Sequence, residues 1–563
     1  MSAPFAHDQH APAARADRFV IPATVEQVLL AASVFWALAA NRLFFNAALH
    51  GRDGASAATW GFAFGVVVLL VTVHFLLLAL VCNRWTVKPV LAVLIVATAL
   101  AAHYMGRFGV YLDPSMLRNV LHTDVSEVRE LLAPALLWQL LLNALLPLLL
   151  LWRVRIVRHR WPRAALVRTG MLLGAAVTAA LTLVAVFQPM AALMRNHREV
   201  RYLITPANMV WSIGAVAVAD AKGAAQPRQP IGLDARPAAG RASRQRPLLV
   251  VLVVGETARA ANWGLNGYAR QTTPQLATLP VINFSDVTSC GTNTEVSLPC
   301  MFAPVGRRDY DEARVRGSEG LLHVLARAGV AVHWRDNQSG CKGVCDGLPN
   351  DSVQALNATG LCHDGHCLDE GLAYDLDKRL DKAAGVQLLV LHQLGNHGPS
   401  YFRRYPSGFA RFSPACEHDD LQRCSREQIV NAYDNALLYT DHVLASLITQ
   451  LRARAGSVDS ALLYVSDHGE SLGEKGLFLH GMPYAIAPSE QTRVPMVMWL
   501  SDGLRASAAL DGDCLRRRAA APVAHDHLFH TLLGLLDVAT SLYEPTWDLT
   551  HDCHLPALAL KGR

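Results

Sequence analysis

The stretch ALLYVSDHGESLGE, residues 461–474, decides how the second half of this chain folds. Ala461 to Val465 form a short apolar run suited to a strand buried on both faces. The run leads directly into Ser466-Asp467-His468-Gly469-Glu470, a turn crowded with groups that bind metals or move protons. Two other places repeat the arrangement. Residues 248–254 (LLVVLVV) lead into Gly255-Glu256-Thr257, and residues 385–391 (GVQLLVL) lead into His392-Gln393-Leu394-Gly395-Asn396-His397-Gly398. Amphipathic helical stretches at 318–328 and 426–451 lie between these runs. The alternation predicts a mainly parallel sheet covered by helices. Ligands of such open sheets bind outside the carboxyl ends of the strands, so three distant segments bring Glu, His, Asp and His to one rim.

Each element alone has a plain reading. Glu256 caps a helix, Asp467-His468 makes a strand-end turn, and His397 or His480 is a structural histidine. Together, at three strand ends, they read as a metal site. Carboxylate with imidazole suits zinc ahead of manganese.

Upstream the composition changes. The 563-residue chain is 52% hydrophobic and 17% charged, against a usual charged share of about a quarter. The apolar excess lies before residue 220, so a membrane domain followed by a soluble domain is expected. Five stretches approach the ~20 residues that cross a bilayer: residues 24–48, 59–82, 89–105, 131–152 and 170–188. The third is the shortest. The first is too long for a signal-peptide core and lacks a small-residue cleavage site. Basic residues set the orientation. Arg15 and Arg18, then Arg84 and Lys88, then Arg153, Arg155, Arg158, Arg160, Arg163 and Arg168 outnumber Arg52, Arg107, Arg118 and Arg129 on the opposite side. The N-terminus is therefore cytoplasmic, and everything after the fifth span lies outside. The net charge of +5 is dispersed, with no stripe suited to nucleic acid.

Cysteine usage agrees with that topology. Of eleven cysteines only Cys82 falls in the membrane part. Eight of the rest form close pairs, Cys290/Cys300, Cys341/Cys345, Cys362/Cys367 and Cys416/Cys424, and Cys514 with Cys553 remains by elimination. Zinc thiolates at 341/345 and 362/367 are the rival reading, but disulfides in an oxidising compartment are preferred. The expected domains are residues 1–188 (membrane, with a periplasmic loop at 106–130), 189–246 (bridge helix and a linker rich in Ala, Gly, Pro and Arg) and 247–563 (catalytic).

A phosphate or sulfate transferase or hydrolase also needs a nucleophile. Residues 289–300 (SCGTNTEVSLPC) place small and hydroxyl residues before a short helix, whose free N–H groups suit a phosphoryl oxygen. A threonine hydroxyl needs activation, for which a metal serves. Plain N-capping by Thr292 or Thr294 is the alternative, and composition does not choose among the hydroxyls.

Gly255-Glu256-Thr257-Ala258-Arg259, Ser289-Cys290-Gly291-Thr292-x-Thr294, Cys341-Lys342-Gly343-Val344-Cys345, Gly395-Asn396-His397-Gly398-Pro399 and the 466–474 segment resemble the lipid A phosphoethanolamine transferases. That family includes the mobile colistin-resistance enzymes and belongs to the alkaline-phosphatase and sulfatase superfamily. The resemblance implies a five-span α-helical transmembrane domain in the bacterial inner membrane and a periplasmic α/β/α sandwich. It implies Thr294 as a nucleophile transiently carrying phosphoethanolamine, and Glu256, Thr294, Asp467 and His468 as ligands of one firmly held zinc ion, with a second ion as an alternative during turnover. It implies Thr292, Asn337, Lys342, His397, Glu470 and His480 as a surrounding shell that holds the phosphoethanolamine group or a second zinc, Lys342 adding positive charge and His397 or His480 protonating a leaving group. Asn119, Thr123 and Glu127, every four residues in the 113–129 loop, would hold the donor's ethanolamine headgroup. Leu117, Val120, Leu121 and Val128 lie off that stripe and would rest on lipid or on the bridge helix. Asn293 and Glu295, beside the nucleophile, stand where smaller residues are expected in some relatives.

The implied activity is ping-pong transfer from phosphatidylethanolamine to lipid A by a monomer, masking anionic phosphate and weakening the binding of cationic peptides and polymyxins. The alternatives are transfer to core oligosaccharide or periplasmic glucan, a membrane-anchored phosphodiesterase or sulfatase, and a non-catalytic scaffold with structural zinc. Thr294 stands where a sulfatase carries cysteine or serine, and structural zinc is usually closed by four Cys or His ligands. Non-reducing peptide mapping is expected to recover the four close cysteine pairs as linked peptides. Free thiols there contradict the periplasmic placement.

Overall fold

The computed structural model describes residues 20–123, 125–224, 227–356, 360–363 and 366–555. Arg15 and Arg18, part of the orientation argument, lie outside the described residues. The chain divides into two units, Met1–Gly106 with Pro134–Asn208, and Arg107–Ala133 with Met209–Arg563.

Among the described residues of the first unit, four helices are long and apolar enough to cross a membrane: Ala57–Val81, Val87–Phe108, Pro134–Arg153 and Trp161–Ala185. A fifth crossing requires the bent pair Val25–Ala39 and Arg42–Leu49, whose axes turn by 56°. The expected span at 24–48 is therefore broken, and Asn41 accounts for the break. Its buried amide donates to the Trp36 carbonyl at 2.8 Å and the Thr205 carbonyl at 2.8 Å, and accepts from Thr205 N at 2.9 Å. The Trp36 carbonyl also accepts from Ala40 N at 3.1 Å, so Asn41 ties the end of the first helix to the Thr205 backbone. Two boundaries also differ from expectation. The third helix has 22 residues, and the last begins nine residues before 170, with Arg163 and Arg168 already helical. Arg168 stays at the polar end by donating to the Cys82 carbonyl at 2.8 Å. The Trp161–Ala185 helix buries no side chain, and Leu166, Leu173, Leu181 and Val184 are all exposed. An apolar surface this continuous matches hydrocarbon, not water.

The second unit is built on an eight-stranded sheet. Its strands are β1 (Leu248–Gly255), β2 (Ile282–Thr288), β3 (Ala331–Asp336), β4 (Asn350–Ser352), β5 (Val386–His392), β6 (Asp459–Ser466), β7 (Arg493–Leu500) and β8 (Val523–Ala524). Their spatial order is β8-β2-β7-β6-β1-β5-β3-β4. All neighbours run parallel except at β7, which is antiparallel to both β6 and β2. The chain leaves β6 at its carboxyl end and builds the 467–492 segment there. It then re-enters the sheet from the same rim, which makes the next strand run the other way.

The three strands expected from sequence are present, β1 and β6 with slightly longer bounds and β5 shifted by one residue; β2, β3, β4, β7 and β8 were not anticipated. Every residue of β1 is buried. Leu248, Val250, Leu252 and Val254 enter one core while Leu249, Val251 and Val253 enter the other, the two-residue alternation of a strand sandwiched between helical layers. Each such side chain contributes roughly 1.5–3 kcal/mol of burial. The 28-residue helix Arg426–Ala453 covers the second core, started by a capping box between Ser425 and Gln428. Helix Leu321–Arg327 and helix Asp526–Leu535 pack on the first core. Five disulfides, 290–300, 341–345, 362–367, 416–424 and 514–553, close loops among the described residues, and Cys82 is free and buried.

Candidate active site

The carboxyl ends of β1 and β6 lie side by side, Gly255 opposite Ser466 and Val254 opposite Val465. The next residues, Glu256 and Asp467, therefore emerge together, followed by His468. Oxygen atoms of the two carboxylates and an imidazole nitrogen all lie within 4.8 Å of one another, and all three residues are buried. His468 Nε2 stands 3.3 Å from Glu256 Oε1 and 3.3 Å from Asp467 Oδ2. The other ring nitrogen, Nδ1, donates to the Gly469 carbonyl at 3.0 Å and so leaves Nε2 facing the carboxylates.

The segment with the candidate nucleophile, 289–300, follows from β2. Ser289 N donates to the Thr492 carbonyl at 2.8 Å, fixing where β2 ends. The segment then enters helix Thr294–Met301, capped by Asn293, whose side chain accepts from Val296 N at 3.0 Å. The structure distinguishes the hydroxyls that composition left equal. Ser289 Oγ donates to the Gly291 carbonyl at 2.6 Å, and Thr292 Oγ1 to the Met482 carbonyl at 2.6 Å. Thr294 Oγ1 instead lies 3.1 Å from Glu256 Oε2, 3.3 Å from Oε1 and 3.3 Å from His468 Nε2.

The electrostatics of the cluster are those of a cation site. Burial pushes the Asp467 carboxyl up, and the charge of Glu256 adds to the rise. In Glu256 burial acts the same way, but the hydrogen bond and charge of His468 outweigh it and hold that carboxyl below its usual range. Burial opposes a charged His468, yet Asp467 and Glu256 together raise it. One imidazole thus serves two carboxylates, and Asp467 Oδ2 accepts no hydrogen bond. A divalent cation answers both observations.

Neighbouring residues hold these groups in place. Gln338 Nε2 donates to Glu256 Oε2 at 3.2 Å, and Ser297 Oγ donates to the Asp467 carbonyl. His525 receives Cys290 N on Nδ1 at 3.1 Å and donates from Nε2 to the Ser466 carbonyl at 2.9 Å, tying β6 to the loop before helix Thr294–Met301. Gly395 has φ +56°, and a Cβ there would stand 2.6 Å from the Glu256 carbonyl oxygen, so only glycine permits β1 and β5 to end this close. Gln338 and His525 lie outside the quoted motifs, and no local pattern announces them.

The remaining expected residues divide by position. The His480 ring lies 4.4 Å from that of His468 and 5.6 Å from that of His397, centre to centre; Nδ1 of both His397 and His480 is buried without a hydrogen bond. Glu470 accepts from Tyr401 OH at 2.6 Å, and burial pushes its carboxyl up to about 7 against that bond. The Asn337 amide donates to the Cys367 carbonyl at 2.9 Å and to Asp369 Oδ1 at 2.8 Å. Lys342 Nζ donates to Ser339 Oγ at 2.7 Å and stands 3.4 Å from Glu295 Oε1, so it reaches the residue after Thr294.

The 107–133 segment belongs to this same unit. Helix Pro114–Leu121 is capped by Asp113, and Met116 packs where Gly481, with φ +89°, has no Cβ to obstruct its methyl. His122 Nδ1 lies 2.8 Å from Glu295 Oε1. Asn119 is half-buried, and the Thr123 hydroxyl donates to the Asn119 carbonyl at 2.8 Å. The side chain of Glu127 lies outside the described residues. Leu117 is buried, while Val120, Leu121 and Val128 are exposed. Glu295, whose size stood out in the sequence, is buried and faces Lys342, Arg316 and His122.

The chain is similar to known proteins over nearly all its length. Residues 70–221 match the family model described as phosphoethanolamine transferase EptA/EptB, and residues 249–538 match the sulfatase model. Phosphoethanolamine transferase EptA of Escherichia coli K12 is 35% identical over 534 residues, 93% of this chain and 96% of the relative. Phosphatidylethanolamine transferase Mcr-1 of Escherichia coli is 38% identical over 529 residues, 92% of this chain and 96% of the relative. Among solved structures, the integral membrane lipooligosaccharide phosphoethanolamine transferase A of Neisseria meningitidis superposes with a TM-score of 0.90 at 36% identity. That match covers 95% of this chain and 100% of the solved one.

Asp369 carries the testable consequence of this geometry. Its carboxylate accepts from Asn337 Nδ2 at 2.8 Å, Leu394 N at 2.9 Å and Gly395 N at 2.9 Å. Asp369→Ala strands these buried donors and is expected to lower unfolding free energy by about 2–4 kcal/mol. Denaturant unfolding checks it, and an unchanged midpoint contradicts the role given to this carboxylate.

Proposed function

The chain belongs to the phosphoethanolamine transferase family, and from that premise we propose that it moves phosphoethanolamine from phosphatidylethanolamine to lipid A through Thr294. The observation that carries this reading is the Thr294 hydroxyl, the one in its segment turned onto Glu256 and His468.

In the first half-reaction Thr294 Oγ1 bonds to the donor's phosphorus, the bond from phosphorus to the diacylglycerol oxygen breaks, and a proton reaches that oxygen. The imidazole pair, His480 beside His468 and His397 beside His480, takes the threonine proton and delivers it to that oxygen. In the second half-reaction a hydroxyl oxygen of the acceptor phosphate gives up its proton and bonds to the phosphorus, the bond to Thr294 breaks, and the proton passes to Thr294 Oγ1, restoring the hydroxyl. Helix Thr294–Met301 presents its N-terminus to the transferring group. Lys342 adds positive charge nearby, and Thr292, Asn337 and Glu470 frame the phosphoethanolamine. Asn119, Thr123 and Glu127 hold the donor headgroup, a carboxylate suiting its ammonium.

Glu256, Asp467, His468 and the Thr294 oxygen are the donor set for zinc, with His397 and His480 available to a second ion. Bound there, zinc supplies stabilisation of the threonine alkoxide and of charge on phosphoryl oxygens. On this reading residues 1–188 anchor the protein in the inner membrane, 189–246 bridge, and 247–563 form the periplasmic catalytic part of a monomer. Modified lipid A carries less negative charge, which lowers its affinity for cationic peptides.

The test is mass spectrometry of lipid A from cells with and without the protein. Wild type is expected to add phosphoethanolamine. Thr294→Ala is expected to lower the addition at least about a thousandfold while remaining folded and membrane-inserted. His468→Ala is expected to lose bound zinc by elemental analysis. Modification on core sugar or glucan alone contradicts the acceptor, and activity retained by Thr294→Ala contradicts the nucleophile.

A further inference from the structure

An open cleft of about 810 Å³ lies in the second unit, walled by helix Pro114–Leu121, helix Ala207–Ala224 and helix Glu312–Gly317. Arg118, Arg228, Arg314 and Arg316 line it, against Asp220 and Glu312, so cations outnumber anions on its walls.

The guanidiniums are oriented but not exhausted. Arg118 pairs with Asp220 at 2.7 Å and with Glu312, and its buried Nε has no hydrogen bond. Arg228 pairs with Asp346 at 3.0 Å and also donates to the Gly343 carbonyl, beside Lys342. Arg314, with a 47% exposed side chain, engages Asp309 through Nη2 alone among the described residues. Arg316 reaches Glu295 Oε2 at 3.1 Å, so the cleft wall ends one residue from Thr294.

The helical wall has a second character. Trp211, Ala215 and Val218 recur four and three residues apart and share one face; Ala215 and Val218 line the cleft, and Trp211 and Val218 are 67% and 55% exposed. An apolar strip thus leads into an arginine-lined cavity beside the nucleophile helix. That is the outline of an anionic lipid: acyl chains along the strip, phosphate among the guanidiniums.

We propose that this cleft binds the phosphorylated sugar headgroup of the acceptor glycolipid. The proposal rests on the transferase reading above and adds where its second substrate sits. The donor suits the cleft poorly, since its headgroup carries an ammonium that arginines repel. A sugar phosphate has no cation of its own and takes bidentate guanidinium contacts.

The test measures KM and kcat of the full-length protein in phosphatidylethanolamine nanodiscs with a bis-phosphorylated glycolipid as acceptor. Arg314→Glu is expected to raise the acceptor KM about tenfold with kcat little changed, and Arg314→Lys to keep KM within about threefold of wild type. Phosphatidylglycerol, anionic but without a sugar, is expected to compete weakly. A wild-type KM in Arg314→Glu overturns the proposal. So does a loss confined to kcat, or competition by phosphatidylglycerol as strong as by the glycolipid, which makes the cleft a general anionic-lipid surface. Diacylglycerol release by wild type without acceptor reads the transferase assignment separately; its absence defeats that assignment.

Discussion

Glu256 and Asp467 are two fully buried carboxylates served by one imidazole, and the second unit is arranged around that imbalance. Removing an ion from water costs several kcal/mol even after relaxation, unless opposite charge and hydrogen bonds make up the difference. Backbone N–H groups supply part of the compensation: Thr257 N at 3.3 Å and His468 N at 2.7 Å both donate to Asp467 Oδ1. Gln338 and Thr294 supply part for Glu256. Positive charge remains short, and that shortage is what the proposed zinc ion would relieve.

Such a cluster needs its strands held in exact mutual register, because a one-residue slip turns each side chain to the opposite face. The parallel trio β6-β1-β5 provides this, with both faces of β1 sealed by core. The segment carrying Thr294 is fixed from several directions: the Cys290–Cys300 disulfide, the Ser297 bond to Asp467, and His525 bridging Cys290 and Ser466. Glu295 extends the network to Arg316, Lys342 and His122, so the end of helix Pro114–Leu121 is joined to the first turn of helix Thr294–Met301. For the role proposed for Thr294, preorganisation of this kind is what a weak nucleophile needs, since orientation is settled before substrate arrives.

Much of this was legible in the sequence, because its signals were local. Apolar runs ending in Glu256, His392 and Asp467 marked strands and rim together, and close cysteine spacing marked four disulfides. Other features are carried by distance in space. β2 reads INFSDVT, with Asn283, Ser285 and Asp286 interrupting the apolar residues, so no buried run announces it. The break at Asn41 depends on Thr205, far along the chain. Preference for Thr294 over Thr292 and Ser289 required the carbonyls of Met482 and Gly291, which composition does not place. Glu295 stood out only as a large residue in a small position, and its partners come from three separate segments.

The most direct test of the central claim is peptide mass spectrometry of the zinc-loaded, full-length protein after incubation with phosphatidylethanolamine and no acceptor. The account predicts a phosphoethanolamine adduct on Thr294 that disappears when acceptor glycolipid is added. An adduct on Thr292 or Ser289, or an unmodified Thr294 while diacylglycerol is released, would contradict it.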